Sequence, residues 1–193
     1  MMKQTALLVL DLINDVVHPD SPIASASSCV AEKNLILNTN HLIEHIRKQR
    51  GLIIFFRVGF SASYIECPTQ PWSLFRGVRE PRAYELGQWG TEFHPDLALN
   101  NNDTVLVKHR ISPFYSTELE AILRAQCVSR LILTGVSTDY VIQSCAREAH
   151  DRDYDTVVVE NLCAASTHEI HDQAIASLKR LVNVVHSSEL QQE

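Results

Sequence analysis

Two oppositely charged residues, each directly after an apolar run, are the first candidates for chemistry in this chain. Asp11 follows the run at 6–10, and Lys108 follows the run at 104–107. A carboxyl group can transfer protons, and a nearby ammonium sets its protonation state. If the two strands are not adjacent, they lie about 10 Å apart, and only the long lysine side chain could close the gap. The pair predicts acid–base chemistry; a strand-end carboxylate and a solvated lysine are the alternative.

The turn from Gly135 to Thr138 is a third candidate, because it joins an apolar run to a helical pattern. A helix start presents unpaired backbone N–H groups, which could hold an anion or a developing oxyanion. A plain connection with Thr138 as the N-cap is equally compatible with these residues.

Cysteine usage bears on nucleophilic chemistry. The five cysteines are odd in number, widely spaced and free of any CxxC pair, which predicts reduced thiols in a cytoplasmic protein. They are Cys29, Cys67, Cys127, Cys145 and Cys163. A thiol becomes a nucleophile where a helix N-terminus or a cation lowers its pKa.

The elements that must position these residues follow from hydrophobic periodicity. Six apolar runs rich in β-branched residues predict strands at 6–10, 52–56, 104–107, 131–133, 156–159 and 182–185. Helical periodicity lies between most of them, at 31–49, 116–126, 138–150 and 168–180. This alternation predicts an α/β fold with a parallel sheet covered on both faces, whose site lies beyond the C-terminal strand ends.

Length and composition predict one domain over residues 1–193. The hydrophobic fraction of 45% suits an ordinary core, and a net charge of −6 argues against nucleic acid or an anionic membrane surface as partner. No apolar stretch reaches transmembrane length, and the N-terminal run is too short for a signal peptide. We expect a cytoplasmic protein with a small-molecule substrate.

A loop-rich insertion near 58–103 interrupts the alternation, and such a segment is usually functional or mobile. Its Arg76, Arg79 and Arg82, with Trp72 and Trp89, could form a lid that recognises a carboxylate, or an ordinary solvated loop.

The spacing of the histidines does not predict a metal site. The HxxEH stretch at 41–45 lies off the apolar stripe of its helix, and we interpret it as a solvated face. His168 and His171, three residues apart, are interpreted as polar contacts at a helix end. Neither a metal nor another cofactor is expected.

Together, four segments resemble the isochorismatase-like, or cysteine hydrolase, family. They are residues 6–15, 108–114, 133–138, and 159–164 with His171. The resemblance implies a three-layer α/β/α sandwich with six parallel strands, a homodimer or homotetramer, and a cis peptide between Val136 and Ser137. It also places the catalytic aspartate at Asp11 and the lysine at Lys108.

At the position of the family's nucleophilic cysteine this chain has Val141, and the nearest thiol, Cys145, lies one turn further on. The resemblance is therefore to the branch that lacks the cysteine, which hydrolyses vinyl ethers through the aspartate. Asp11 would be the general acid, and Lys108 would hold a carboxylate or ether oxygen of a small anionic substrate. Arg110, Tyr140 and Trp89 are the further candidate substrate contacts.

Two other functions stay open on the sequence. One is a C–N (amide) hydrolase that uses Cys145 as its nucleophile. The other is a non-catalytic protein that binds a ligand on this fold.

Overall fold

The computed structural model describes residues 4–190, and its centre is a parallel sheet of six strands. The strands are β1 (Gln4–Leu10), β2 (Leu52–Val58), β3 (Thr104–Lys108), β4 (Val128–Val136), β5 (Asp155–Ala164) and β6 (Asn183–Val185). Their order is β3-β2-β1-β4-β5-β6, and all neighbours run parallel. The predicted α/β fold is confirmed, and β1 and β3 are separated by β2.

Helices cover both faces of the sheet and make three layers. They are α1 (Asn14–Val17), α2 (Ser27–Glu32), α3 (Leu35–Lys48), α4 (Leu119–Ala125), α5 (Gln143–Asp151), α6 (His168–Leu178) and α7 (Ser187–Leu190). Successive β1 side chains point to opposite faces, so Leu8 and Leu10 pack towards α4, α5 and α6, whereas Leu7 and Val9 pack towards the other helices. Two apolar cores therefore flank the sheet.

Two helix predictions need correction. The helix expected over 31–49 is divided into α2 and α3, because Asn34 adopts a left-handed conformation with φ of 47° that ends regular helical hydrogen bonding. The helix expected from 138 begins as a π-helical turn, Thr138–Ile142, before α5. Ser137, not Thr138, occupies the N-cap position, since the Thr138 hydroxyl bonds to the His171 ring instead.

The insertion at 58–103 has an apolar core of its own. Phe60, Tyr64 and Phe75 pack together with Ile13 and Val58. Isolated bridges join the insertion to itself and to the segment after β1, and a short 3₁₀ helix, Trp89–Thr91, lies near its end. The insertion is thereby fixed over the C-terminal end of the sheet. Within residues 4–190, no helix is both long and apolar enough to cross a membrane.

Candidate functional site

Asp11 and Lys108 form a buried ion pair at the C-terminal end of the sheet. The Lys108 side chain spans the width of β2, and its Nζ lies 2.7 Å from Asp11 Oδ2. Both residues are almost completely shielded from solvent. Nζ also donates a hydrogen bond of 3.1 Å to the backbone carbonyl of Arg110. The long lysine stem thus closes the gap that the intervening strand creates.

The protonation of Asp11 is set chiefly by its burial. Burial raises the pKa of the Asp11 carboxyl above its ordinary value, and the Lys108 ammonium opposes that rise. The Val58 backbone N–H also lowers the pKa of the carboxyl, while Oδ1 is buried and accepts no hydrogen bond of ordinary geometry within residues 4–190. Asp11 also has a φ of 54°, a conformation that residues other than glycine seldom adopt. Asp11 therefore combines a backbone conformation that is rare outside glycine with a buried carboxyl oxygen that is available for proton exchange.

The turn after β4 lies directly beside Asp11. Gly135 pairs with Leu10 across the sheet, and its φ is 130°. A Cβ at this position would clash with the Leu10 carbonyl oxygen, so only glycine lets the two strands approach in this way. The Val136–Ser137 peptide bond is cis.

The π-helical turn contains Val141, the position to which the resemblance assigns a nucleophile. The Ile142 N–H donates to the Ser137 carbonyl over 3.2 Å, five residues back. Val141 is buried in this turn and lines the cavity, and Tyr140 lines the same cavity while being half exposed. Ser137 Oγ donates to Asp139 Oδ1. The unreactive side chain of Val141 and the polar side chains of Ser137 and Asp139 therefore lie in the same short segment.

These groups line one cavity of about 580 Å³ between the strand ends and the insertion. Its wall on the insertion side is mainly apolar, formed by Leu74, Phe75, Val78 and Pro81. The volume suits a small organic molecule, and the polar groups cluster at the strand ends. Asp11, Lys108, Val136, Ser137, Tyr140 and Val141 are therefore brought together.

Arg110 and Trp89 are not brought to this cavity. The Arg110 guanidinium donates to the backbone carbonyls of Glu66 and His109, at 2.8 and 2.6 Å, and lines a neighbouring cleft. The Trp89 ring packs edge-on against His18 at 5.1 Å. Neither side chain lines the cavity, so the geometry of the cavity does not support their expected substrate contacts.

No thiol reaches the cavity. Cys145 lies in the apolar core beneath α5 with no exposed surface, and burial raises its pKa above the ordinary value. Cys127 is exposed, and the other three cysteines are buried away from the cavity lining. The alternative in which Cys145 is the nucleophile therefore has no geometric support.

The donor set does not fit a catalytic metal. Val58 at the end of β2 and the next two residues, Gly59 and Phe60, carry no ligating side chain. Among residues 4–190, no cluster of three or more His, Cys, Asp or Glu side chains could hold a metal ion. His41 of the HxxEH stretch is exposed on α3, away from the cavity.

The His171 ring stabilises the π-helical turn through hydrogen bonds. Its Nδ1 lies 2.8 Å from Thr138 Oγ1, and its Nε2 lies 2.9 Å from Lys33 Nζ. Lys33 can only donate, so Nε2 accepts and Nδ1 carries the proton that bonds to the threonine. Burial and the Lys33 charge lower the His171 pKa to about 4. The predicted polar contact at a helix end is thus a neutral imidazole that holds the first residue of the π-helical turn.

Three ionisable residues of the cavity lining were not identified from the sequence. Asp15 accepts from the Tyr84 backbone N–H at 2.8 Å and ties the insertion to α1. Tyr84 also lines the cavity, and burial raises its pKa to about 12, so its hydroxyl stays a donor. Asp139 is the third, and Arg76 of the predicted lid lines the same cavity. Asp139 follows the predicted turn by one residue, a signal that could have drawn attention; the position of Arg76 depends on the path of the insertion.

Comparison with known proteins agrees with the fold. The chain is 29% identical over 174 residues to the uncharacterized isochorismatase family protein YecD of Escherichia coli O157:H7, covering 90% of this chain and 86% of that protein. It is 28% identical over 185 residues to the ureidoacrylate amidohydrolase RutB of Variovorax paradoxus, covering 90% and 72%. An isochorismatase family protein of Desulfovibrio vulgaris superimposes with a TM-score of 0.85 at 24% identity, covering 98% and 97%.

A model of one protein family matches this chain. That model, the isochorismatase domain, matches residues 5–189, which is nearly the whole chain. The chain belongs to the isochorismatase family of hydrolases.

Proposed function

We propose that this protein hydrolyses a small anionic substrate by direct attack of water, with Asp11 as the proton donor. The observation that supports this most is the buried, unpaired Oδ1 of Asp11 in a cavity whose nucleophile position holds Val141. A valine forms no covalent intermediate, so the chemistry has to come from proton transfer. An enolpyruvyl vinyl ether, with isochorismate as the first candidate, suits this arrangement.

The proton-transfer step follows from the environment of Asp11. A raised pKa keeps a share of the carboxyl in its acid form, which can protonate the terminal vinyl carbon. Protonation there produces an oxocarbenium ion, which water attacks, and the resulting hemiketal releases an alcohol and a 2-oxo acid. Lys108, 2.7 Å from Asp11, would attract the substrate carboxylate or ether oxygen through its charge.

The anionic character of the substrate is supported by Arg76. Its side chain lines the cavity and has no hydrogen bond or ion pair within residues 4–190. Arg79 donates to the Tyr64 and Cys67 carbonyls, and Arg82 pairs with Glu85. Arg76 is thus the arginine of the predicted lid that is available for a carboxylate, which guanidinium binds in a bidentate manner.

Two other functions have specific observations in their favour. Relatives named ureidoacrylate amidohydrolase suggest C–N hydrolysis, but Val141 and the buried Cys145 leave that reaction without a thiol at the cavity. The apolar wall and the inert Val141 favour a non-catalytic ligand-binding protein. Both serve as alternative outcomes of the test below.

The test is turnover of isochorismate, ureidoacrylate and nicotinamide by the wild type and by Asp11→Asn. We expect hydrolysis of the vinyl ether, and a loss of at least about 1,000-fold in Asp11→Asn, since the amide cannot supply the proton. Asp20→Asn, an exposed aspartate outside the cavity, is the matched control. Retained activity in Asp11→Asn would overturn the acid role. Binding of isochorismate without turnover would favour the non-catalytic function, and turnover of an amide alone would favour C–N hydrolysis.

A further inference from the structure

Two further carboxylates, Asp15 and Asp139, line the cavity that contains Asp11. Both oxygens of Asp15 accept hydrogen bonds, one from the Ser21 hydroxyl and one from the Tyr84 backbone N–H, which leaves Asp139 as the less constrained of the two. Asp139 lies in the π-helical turn, is partly buried and contributes to the cavity wall. Neither Val141, which is inert, nor Cys145, which is outside the cavity, can activate water. Asp139 is therefore a candidate for the residue that activates the attacking water, a role that no residue named above fills.

The strand register brings this carboxylate to the same sheet edge as Asp11. Leu10 pairs with Gly135 on adjacent strands, so Asp11 and the turn that leads to Asp139 leave the sheet side by side. Ser137 Oγ donates to Asp139 Oδ1, which fixes the direction of the carboxylate. The other oxygen, Oδ2, has no hydrogen bond within the described part of the chain, although the carboxylate adjoins the cavity. An oxygen in that position can accept a proton from a water molecule.

The two carboxylates differ in their surroundings. Asp11 is fully buried beside an ammonium, and its desolvation favours the protonated form. Asp139 lies at the start of a helical segment, is held by a hydroxyl donor and is open to the cavity. Pairs of carboxyl groups in contrasting environments are the usual arrangement for an acid and a base that act on one substrate.

We propose that Asp139 is the general base that takes a proton from the attacking water. This inference rests on the proposed function, because it concerns the second half of the same reaction. Ser137 is the positioning residue that orients the Asp139 carboxylate. A water molecule activated by Asp139, two residues before Val141, thus takes the place of the missing side-chain nucleophile.

The steps balance without any further reactant. Asp11 gives its proton to the vinyl carbon, and the C=C electron pair forms the new C–H bond. Water oxygen then bonds to the oxocarbenium carbon while Asp139 takes one water proton. The hemiketal hydroxyl returns a proton to Asp11 as its C=O bond forms, and the bond to the alcohol oxygen breaks. The alcohol oxygen takes the proton held by Asp139, so both carboxyl groups end in their starting states.

The experiment measures isochorismate hydrolysis by the full chain and by Asp139→Asn, Asp139→Ala and Ser137→Ala, with Asp20→Asn as the control. We expect kcat of Asp139→Asn to fall about 100-fold with KM within about 3-fold of the wild type. Ser137→Ala should show a smaller fall in kcat. Added formate should restore part of the activity of Asp139→Ala, because a free carboxylate can occupy the space left by the side chain.

The outcomes separate the two proposals. Hydrolysis that depends on Asp11 but is unchanged in Asp139→Asn overturns the base role and leaves the proposed function intact. A loss that formate does not restore in the folded Asp139→Ala variant also overturns it, because it indicates a structural role. If the wild type hydrolyses no vinyl ether, the proposed function fails, and the role of Asp139 fails with it. A fall in kcat with formate rescue supports the assignment.

Discussion

Lys108 Nζ lies 2.7 Å from Asp11 Oδ2 although their strands, β3 and β1, are separated by β2. The contact is possible because the extended lysine side chain covers the width of one strand at the open end of the sheet. It places a cation beside the proposed proton donor, and both side chains are almost completely buried. Each charge depends on the other, since an unpaired buried ion is costly.

Replacing the cation should therefore destabilise the protein in a pH-dependent way. In Lys108→Met, the Asp11 pKa should rise further above 3.8, because the interaction that lowers it is gone. The folded state then holds a proton that the unfolded state releases. Stability therefore falls as pH rises from 3.8 through the folded-state value.

Urea unfolding should show a loss of about 3 kcal/mol for Lys108→Met at pH 8 and a smaller loss at pH 5. Lys179→Met, at an exposed ion pair with Glu160, is the control and should change stability by less than about 1 kcal/mol at both values. Equal losses at pH 5 and pH 8 would show that the Lys108 variant does not act through Asp11.

We expect the Cys145 thiol to be unreactive in the folded protein. The thiol has no exposed surface and a raised pKa, so iodoacetamide should alkylate the exposed Cys127 first and leave turnover unchanged. Cys145→Ala should keep activity within about 2-fold and lose about 1 kcal/mol of stability through the space left in the core. Mass spectrometry of the alkylated protein locates the label. Inactivation that tracks labelling of Cys145 would restore the thiol mechanism.

The arginines of the insertion should differ in what their loss affects. Arg76→Gln should raise KM for an anionic substrate about 10-fold to 100-fold, the effect of losing a charge-assisted hydrogen bond, and leave the melting temperature unchanged. Arg79→Gln should instead lower the melting temperature, because its guanidinium bonds to the Tyr64 and Cys67 carbonyls at 2.7 and 3.0 Å. Steady-state kinetics with thermal unfolding checks both. Unchanged KM in Arg76→Gln would remove the support for an anionic substrate.

His171 should make the protein less stable in acid. Its pKa is about 4 when folded, against 6.5 for an unperturbed histidine, so the unfolded state takes up a proton first as pH falls. The contribution is complete above pH 6.5 and is lost as pH falls towards 4, amounting to on the order of 2 kcal/mol.

Denaturant unfolding between pH 7 and pH 4 should therefore show a steeper pH dependence for the wild type than for His171→Asn. His41→Asn, at an exposed position on α3, serves as the matched control and should keep the wild-type slope. An unchanged slope in His171→Asn would mean that the imidazole titrates normally in the folded protein.

Much of the fold was predictable because the strands are buried on both faces and read as continuous apolar runs. The short helices α1 and α7 were not predicted, since four residues are too few to show a helical period. The division of the expected helix at Asn34 depends on a single backbone conformation. Local periodicity contains no information of that kind.

The site was predictable only where its residues follow strands. Asp11 and Lys108 end strands, and their shared sheet edge follows from the parallel arrangement. Arg76 and Tyr84 reach the cavity because the insertion folds around a small apolar core that contains Phe60. The residues of that core do not recur at a regular spacing, so the sequence pattern does not predict it. Asp139 faces the cavity through a π-helical turn, which shifts side chains off the 3.6-residue period.

The five-residue strand β3 lies at the edge of the sheet and has only β2 as a neighbour. Edge strands usually open more readily than central ones during local unfolding. Because Lys108 is the last residue of β3, any opening of this strand separates the ammonium from Asp11 while the central strands remain folded. The integrity of the proposed site then depends on the docking of one peripheral strand, and the contact between Lys108 and Asp11 can be lost while the rest of the sheet stays folded.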